Sequence, residues 1–259
     1  MQRFKDQINI VGHLKLQRLW NLLVLRCSYS FSRWMKLPLV WGQPFSLSIE
    51  PTTACNLGCP ECPSGLKQFT RPTGKLDLDL HQRMLDQVSK SVFYINYYFQ
   101  GEPFLHPQFL ELIRQAKKHK IYTATSTNAH FIDQKKAEEI IDSGLDRLII
   151  SIDGLTQETY ENYRVHGNLA KVIEATKLLI ATKKEKQSAT PHLIFQFLAV
   201  KPNEHEIPAV FTLGKEMGID EVRIKTAQLY DFKNGNALIP ENENYSRYKL
   251  QSDGTYKLK

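Results

Sequence analysis

Three cysteines stand close together in one short segment of the chain. Cys55, Cys59 and Cys62 are separated by three and then two residues, whereas Cys27 lies apart from them. Three thiolates at this spacing suit a [4Fe-4S] cluster, which normally takes four, so one iron would lack a protein ligand. A small molecule with a free amine and carboxylate can chelate such an iron and receive an electron there. The loop therefore predicts one-electron chemistry at an open iron.

A zinc site and three incidental cysteines are the alternatives for this loop. A structural zinc ion needs a fourth ligand, and the nearest histidine in sequence, His81, is too far along the chain for a compact finger. Buried structural cysteines rarely cluster in a loop with this spacing. Four cysteines in 259 residues do not form a disulfide framework either, and they suit a reducing compartment, which we take to be the cytoplasm.

The elements around the cysteines alternate between short apolar runs and helical periodicity. Candidate strands cover 46–50, 94–99, 121–126, 147–152, 192–200 and 221–225. Helical stripes lie between them at 109–116, 137–141, 169–179 and 207–217, with a weaker helix at 79–89. Gly144 and Gly218 each end a helix directly before a strand. Repeated βα units of this kind predict a parallel α/β sheet, either doubly wound or curled into a partial barrel.

The cysteine loop follows the first predicted strand, and three more polar motifs follow the next three. They are Gln100-Gly101-Glu102-Pro103, Ser126-Thr127-Asn128 and Ser151-Ile152-Asp153-Gly154. Loops at the carboxyl ends of parallel strands are where α/β folds place ligands and reactive centres. With the cysteine pattern, these motifs resemble the radical S-adenosylmethionine (SAM) enzymes over about residues 45–225. The resemblance implies a partial (β/α)6 TIM-like barrel.

Within that superfamily the chain is most similar to the peptide- and protein-modifying branch. The segment 50–57 and the phrase at 99–105 are typical of this branch. Its members usually carry a C-terminal SPASM or twitch extension with auxiliary clusters, and no cysteine follows Cys62 in this chain. The chain is therefore expected to be either a bare core or a fragment.

The resemblance assigns a role to each motif. Cys55, Cys59 and Cys62 would hold the [4Fe-4S] cluster whose open iron chelates SAM. The SAM amine would meet Gln100, Gly101, Glu102 and Pro103, with Glu102 as the acceptor for an ammonium. The ribose or the SAM carboxylate would be bound by Ser151 and Asp153, and Arg164 would pair with the carboxylate. Ser126 and Asn128 would lie beside the cofactor.

Three positions depart from the family pattern. Gln100 occupies the first glycine position of the family's GGEP motif, and Ala129 replaces the glycine that often follows Thr-Asn. Glu61 stands before the third cysteine, where the superfamily usually has an aromatic residue near adenine. Adenine contacts would then rely more on backbone groups and on the segment 196–198.

Composition excludes two classes of protein. With 42% hydrophobic and 24% charged residues, the chain is neither disordered nor a multi-span membrane protein. Of the formal net charge of +7, residues 1–45 carry +6, because seven Lys or Arg stand against Asp6 alone. The remaining body is nearly neutral, so we predict no nucleic-acid binding.

The basic N-terminal arm has helical periodicity of its own. Leu16, Leu19, Trp20, Leu23 and Cys27 form an apolar stripe, which predicts an amphipathic helix. Such stripes mostly mark burial, so we expect the helix to dock through it against the outside of the main domain. The alternative is a helix that lies on an anionic membrane or on a partner. Its apolar run is far too short to span a bilayer.

These observations predict three regions and one activity. The regions are a basic arm at 1–45, a radical SAM core at 46–226 and a polar tail at 227–259. The activity that the resemblance implies is reductive cleavage of SAM at a [4Fe-4S] cluster to a 5′-deoxyadenosyl radical, with an electron donor and an unidentified substrate, a peptide or protein among the candidates. The alternative is a catalytically inactive iron–sulfur or zinc-binding scaffold.

Overall fold

Six parallel strands form one sheet in the computed structural model, which describes residues 2–259. The strands are β1 Ser46–Ser48, β2 Tyr94–Asn96, β3 Tyr122–Thr127, β4 Arg147–Ser151, β5 His192–Ala199 and β6 Glu221–Thr226. They lie in sequence order, with β1 and β6 at the two edges, so the sheet is an open, partial barrel. All six predicted strands are confirmed. Met1, in the predicted arm, lies outside the described residues.

A helix connects each strand to the next. The connecting helices are α3 Leu78–Val88, α4 Phe109–Lys118, α5 Gln134–Asp142, α6 Gln157–Glu161, α7 Leu169–Glu185 and α8 Ile207–Met217, and the arm contributes α1 Gln2–Gly12 and α2 Leu16–Met35. Asp77, Asp133 and Asn168 cap α3, α5 and α7 by accepting a backbone N–H. The five predicted connecting helices are confirmed, whereas α1 and the five-residue α6 were not predicted.

The core lies between the sheet and these helices. Strand residues such as Leu148, Ile150, Phe195 and Phe197 have no solvent exposure. Ile149 and Ile194, on the opposite face of the same strands, are buried as well. Burial on both faces explains why these strands are continuous apolar runs rather than alternating ones. The packing fixes the carboxyl ends of the strands, where the polar motifs lie.

The arm docks on the opposite end of the strands, and it does so through its polar face. In α1, Asp6 accepts a hydrogen bond from the Tyr122 hydroxyl and forms an ion pair with Arg147, both at strand amino ends. In α2 the buried residues are Arg18 and Ser28, while Leu16, Trp20 and Leu23 are exposed. The expectation that the apolar stripe docks is therefore wrong, because carbonyl groups at the domain surface bind Arg18 instead.

The tail forms more structure than predicted. Residues 227–259, expected to be loops or an extended crossing, contain an antiparallel hairpin of β7 Tyr248–Leu250 and β8 Tyr256–Leu258. Tyr248 and Leu229 pack with Leu57 and Cys59 in a second apolar cluster. The tail thus covers part of the cysteine loop.

Among the helices of residues 2–259, none has the length and apolar character that crossing a bilayer requires.

Candidate active site

The three clustered cysteines line one cavity at the carboxyl ends of the strands. Cys55, Cys59 and Cys62 are all free thiols, and the cavity has a volume of about 240 Å³. The same cavity is lined by Gln100, Gly101, Glu102, Ser126, Asn128, Ser151 and Arg164. Residues from four predicted motifs, widely separated in sequence, therefore share one site. Pro103 and Asp153 lie behind this lining and are buried.

The cysteine loop folds tightly onto itself and onto the second motif. The Cys62 amide donates to the Cys59 carbonyl at 3.2 Å. The amide of Glu102 donates to the Ala54 carbonyl at 2.7 Å, and that of Gly101 donates to the Ser64 hydroxyl at 2.9 Å. These bonds tie the residues around Glu102 to both sides of the loop.

Gly101 is required for this contact. Its φ is +80°, a conformation that favours glycine, and an added Cβ would lie 2.1 Å from the Thr52 carbonyl oxygen. Any side chain would push the second motif away from the cysteine loop. The glycine therefore sets the distance between the carboxyl group of Glu102 and the thiols.

Glu102 is a buried carboxyl group that points into a ring of donors. Its oxygens accept from the Thr127 hydroxyl at 2.8 Å, the Asn128 amide at 2.8 Å and the Phe104 amide at 3.2 Å. Burial raises its pKa to about 7, although these three hydrogen bonds oppose the rise. A carboxylate has roughly four acceptor positions, so three donors leave capacity for an ammonium group of a ligand.

The third motif holds the site together as well as lining it. Asn128 donates through its side-chain amide to the Asn56 side chain at 2.8 Å, which connects the end of β3 to the cysteine loop. Ala129, which follows, has a φ of +61° and is 1% exposed. The glycine that this position often has in the family would adopt that conformation without strain.

The fourth motif separates into a lining residue and a buried support. Ser151 lines the cavity, whereas Asp153 forms an ion pair with Arg164 and accepts from the Leu198 amide at 2.6 Å. Arg164 in turn places Nη1 3.7 Å from the Cys59 sulfur. Asp153 raises the pKa of Arg164 despite its burial, so the guanidinium remains charged inside the cavity.

Two of the residues that depart from the family pattern, Gln100 and Glu61, form hydrogen bonds at the site. The side-chain oxygen of Gln100 accepts from the Cys62 thiol at 3.4 Å and from the Ser64 hydroxyl at 3.3 Å. Glu61 accepts a hydrogen bond from the Tyr230 amide at 2.9 Å, which ties the tail to the cysteine loop. Glu61, at the position where the superfamily usually has an aromatic residue, therefore anchors the tail.

The cavity also contains side chains that were not predicted. Tyr98 and Phe99 line it just before Gln100, and Tyr163 lines it just before Arg164. These residues directly precede predicted site residues in the sequence, and this position could have identified them as lining residues. Of the segment 196–198, Gln196 and Leu198 line the cavity while Phe197 between them faces the core. This alternation follows from the two-residue period of β5.

The thiols suit a cluster better than a single zinc ion. Among residues 2–259, no three His, Cys, Asp or Glu side chains are arranged to share one metal ion. His81 is fully buried, with its ring nitrogens 2.6 Å from Gln115 and 2.8 Å from the Tyr97 hydroxyl. The zinc alternative therefore gains no support from the geometry. A [4Fe-4S] cluster needs each thiolate on a different iron, so it does not require them to meet at one point.

The electrostatic environment of the cysteines favours the binding of a positively charged group in the cavity. Burial, with Glu102 and the other two cysteines, raises the pKa of Cys55 to about 11. The Cys55 thiol is thus protonated at neutral pH unless a cation replaces the proton, as metal binding does. The hydroxyl of Tyr160 is buried with no partner among the described residues, and the charges of Arg164 and Asp153 act on it. The raised pKa of Cys55 fits a cavity that binds an additional positive charge, whereas Tyr160 is not part of the cavity lining.

Comparison with known proteins points to one superfamily. A sequence model described as "Radical SAM superfamily" matches residues 49–198. PqqA peptide cyclase of Gluconobacter oxydans is 29% identical over 212 residues, which are 81% of this chain and 56% of the cyclase. Mycofactocin maturase MftC of Mycobacterium ulcerans is 34% identical over 53% of this chain and 37% of its own length.

A solved structure shares the fold. SuiB of Streptococcus suis bound to S-adenosylmethionine aligns with a TM-score of 0.63 and 17% identity, covering 83% of this chain and 47% of SuiB. SuiB has also been solved bound to its precursor peptide SuiA, with a TM-score of 0.61. The present chain spans about half or less of the length of these relatives.

Proposed function

The chain belongs to the radical SAM superfamily, and on that premise we propose that its cavity binds a [4Fe-4S] cluster and SAM side by side and cleaves SAM reductively. The cluster would be held by Cys55, Cys59 and Cys62. One observation carries the proposal, namely that these thiols and the carboxyl group of Glu102 line a single cavity. When bound and reduced, the cluster supplies one electron to the sulfonium, which yields methionine and a 5′-deoxyadenosyl radical that abstracts a substrate hydrogen.

The protein binds and orients the amino-acid end of SAM by charge. Glu102 retains acceptor capacity for the ammonium group, and the charged Arg164 offers a fork to the carboxylate. Asp153 does not face the ligand in this arrangement but holds Arg164 in place. Asp153 therefore acts as a positioning residue, and Arg164 as the ligand-binding residue.

The remaining lining binds the nucleoside and limits access by water. Ser151 and Gln196 offer polar groups at the ends of β4 and β5, and Ser126 and Asn128 lie at the end of β3. Leu57, Leu198 and Tyr163 provide apolar walls near the thiols. An apolar enclosure protects a reactive intermediate from side reactions with solvent.

We propose a peptide or protein substrate. PqqA peptide cyclase, by its name, acts on a peptide, and SuiB is known bound to a precursor peptide. Phe99 is 74% exposed while still lining the cavity, so it offers an apolar contact for a side chain that enters from outside. The reaction also requires a one-electron donor, which we take to be a reduced cytoplasmic carrier, since the free thiols suit a reducing compartment.

We propose three regions along the chain, which are an arm at 1–45, the core at 46–226 and a tail at 227–259. All the residues that line the cavity lie in the core. The tail contacts the cysteine loop from outside, through Glu61 and through Leu229 and Tyr248, which pack with Leu57 and Cys59. The arm docks at the other end of the strands.

The first experiment reconstitutes the chain anaerobically with iron and sulfide. 5′-Deoxyadenosine formed from SAM and dithionite is then measured, beside a variant with all three clustered cysteines changed to alanine. We expect product from the wild type only. A reducible cluster that forms without any product would contradict the proposal and favour an inactive iron–sulfur scaffold.

A variant with a matched control tests the role of Asp153 in positioning Arg164. Asp153→Asn keeps the shape of the side chain but removes the charge that holds Arg164, so SAM binding should weaken while the cluster absorbance remains. Glu174→Gln changes an exposed carboxylate on α7 and serves as the control. Equal SAM affinity in Asp153→Asn and the control would exclude the positioning role.

A further inference from the structure

The N-terminal arm shows an unusual concentration of exposed apolar side chains. Among the described residues, fifteen of the twenty-three large hydrophobic side chains that are exposed lie between Phe4 and Phe45. Isolated exposed apolar residues are common, but contiguous patches mark interaction surfaces. The arm therefore carries a candidate interaction surface.

The patch on α2 is a stripe along one face of the helix. It consists of Leu16, Leu19, Trp20, Leu23, Phe31 and Trp34, all exposed. At 3.6 residues per turn these positions fall within an arc of about 120°. The buried residues Arg18 and Ser28 lie on the other side of the helix. Docking of α2 on the core thus turns the apolar stripe outward and leaves it uncovered.

The end of the stripe broadens into an aromatic group. Phe31 packs against Trp34 with ring centroids 6.2 Å apart and against Trp41 at 5.3 Å. The side chains of Trp34 and Trp41 are nevertheless 78% and 53% exposed. Tryptophan rings of this kind are enriched at the boundary between lipid and water.

All the exposed charge on the described part of the arm is positive. Lys15, Arg26, Arg33 and Lys36 are exposed on or beside α2. The arm's single acid, Asp6, is 5% exposed and is neutralised by Arg147. The guanidinium groups of Arg26 and Arg33 lie 5.9 and 5.8 Å from the Tyr29 ring, which gathers them along one side of the helix. The complementary surface is therefore apolar and negatively charged.

We propose that α2 with the following segment 37–45 binds the surface of an anionic lipid bilayer, lying in the interface with its apolar stripe toward the acyl chains. An amphipathic helix with basic residues and exposed Trp, Phe and Leu has the composition of interfacial helices. Basic side chains add attraction to acidic headgroups. The arm binds the amino ends of the strands through Asp6, so the active-site cavity at their carboxyl ends stays open to substrate.

This inference does not depend on the proposed chemistry, and the tryptophans provide a direct probe. The chain has three tryptophans, Trp20, Trp34 and Trp41, all in the arm. The full chain is mixed with vesicles of phosphatidylcholine alone or of phosphatidylcholine with phosphatidylglycerol. We expect co-sedimentation and a blue shift of tryptophan emission with the anionic vesicles, and weaker binding at high salt.

Matched variants separate the apolar and the electrostatic contributions to vesicle binding. Trp20→Ser with Trp34→Ser should lower partitioning by about tenfold or more, and Arg26→Gln with Arg33→Gln should lower it by about tenfold for anionic vesicles only. Phe211→Ser with Leu80→Ser removes two exposed apolar side chains outside the arm and should change nothing. All these positions are exposed, so the unfolding midpoint serves as the check that each variant folds.

Three results would overturn the proposal. One is the absence of any blue shift or co-sedimentation with anionic vesicles. Another is equal binding to neutral and anionic vesicles with no effect of salt. The third is a dimer in light scattering that the Trp20→Ser, Trp34→Ser variant abolishes, without vesicle binding, because the stripe would then join two copies of this chain.

Discussion

At the level of single residues, Glu102 combines burial with a pKa near neutrality. Its carboxyl group is 2% exposed, and burial raises its pKa to about 7 from an ordinary value of 4.5. Below the ordinary value the group is protonated in both the folded and the unfolded chain. As the pH rises toward 7 the unfolded chain loses this proton first, so the carboxyl group progressively destabilises the fold.

The first prediction concerns Glu102→Gln in the cofactor-free protein. The variant cannot ionise, so its free energy of unfolding relative to the wild type should rise by about 2 kcal/mol from about pH 5 to about pH 8. Urea denaturation at the two pH values measures this difference. Glu174→Gln, an exposed control, should show no such trend. A constant difference across the pH range would mean that Glu102 is ionised throughout.

The second prediction concerns the strained Ala129. A φ of +61° costs an alanine roughly 1 kcal/mol relative to the right-handed region, and glycine avoids this cost. Ala129→Gly should therefore raise the free energy of unfolding by about 0.5 to 1 kcal/mol. Ala181→Gly, on the exposed face of α7, should lower it by about 1 kcal/mol. If both variants lose stability alike, the strain at Ala129 is absent.

At the level of elements, one side chain attaches α2 to the core. Arg18 is 1% exposed and donates to the carbonyls of His13, Ser89, His119 and Lys120, at 2.7 to 3.3 Å. Ser89 follows the end of α3, and His119 and Lys120 follow α4. A guanidinium at two helix carboxyl termini satisfies free carbonyls and meets the negative ends of both helix dipoles.

The third prediction is that Arg18 is costly to remove. Arg18→Met should lower the free energy of unfolding by about 3 kcal/mol, because several buried carbonyls lose their donor. Arg18→Lys should recover only part of this, since an ammonium has three donors rather than five. Arg26→Met, at an exposed position of the same helix, should change it by less than about 0.5 kcal/mol. Equal curves for Arg18→Met and Arg26→Met in urea denaturation would refute this attachment.

At the level of the whole molecule, the tail and the cysteine loop form one packed unit. Tyr248 is 2% exposed, stacks on Phe232 at 4.4 Å between ring centroids, and donates to the Leu229 carbonyl. Leu229 and Tyr248 in turn pack with Leu57 and Cys59. Loosening the tail should therefore expose the loop that carries the thiols.

The fourth prediction tests this coupling. Tyr248→Ala should speed amide hydrogen exchange in both the tail and the segment 55–66, and leave β3 and β4 unchanged, because local opening follows local packing. Tyr230→Ala, at a 64% exposed position in the same tail, is the control. Faster exchange in the tail alone would show that the cysteine loop does not need it.

The sequence by itself determined the succession of strands and helices and the position of the site, whereas the order of the strands in the sheet came from the structure. Apolar runs and helical stripes alternate along the chain, and parallel βα units place every strand's carboxyl end on one edge. The motifs that follow β1 to β4 therefore had to meet, and Cys55, Glu102, Ser126 and Ser151 do line one cavity. Local pattern was sufficient because each motif lies next to the strand that positions it.

The tertiary structure decided what depended on contacts between distant segments. Periodicity identified the apolar stripe of α2. The face that docks is decided by the hydrogen bonds of Arg18 to carbonyls about 70 and 100 residues away in the sequence. The buried position of Asp153 behind Arg164, and the bond from Glu61 to the tail, likewise follow from chain packing. A pattern of residue types shows that a face is apolar or a side chain is charged. The residues that such a face or side chain contacts are determined only when the whole chain has folded.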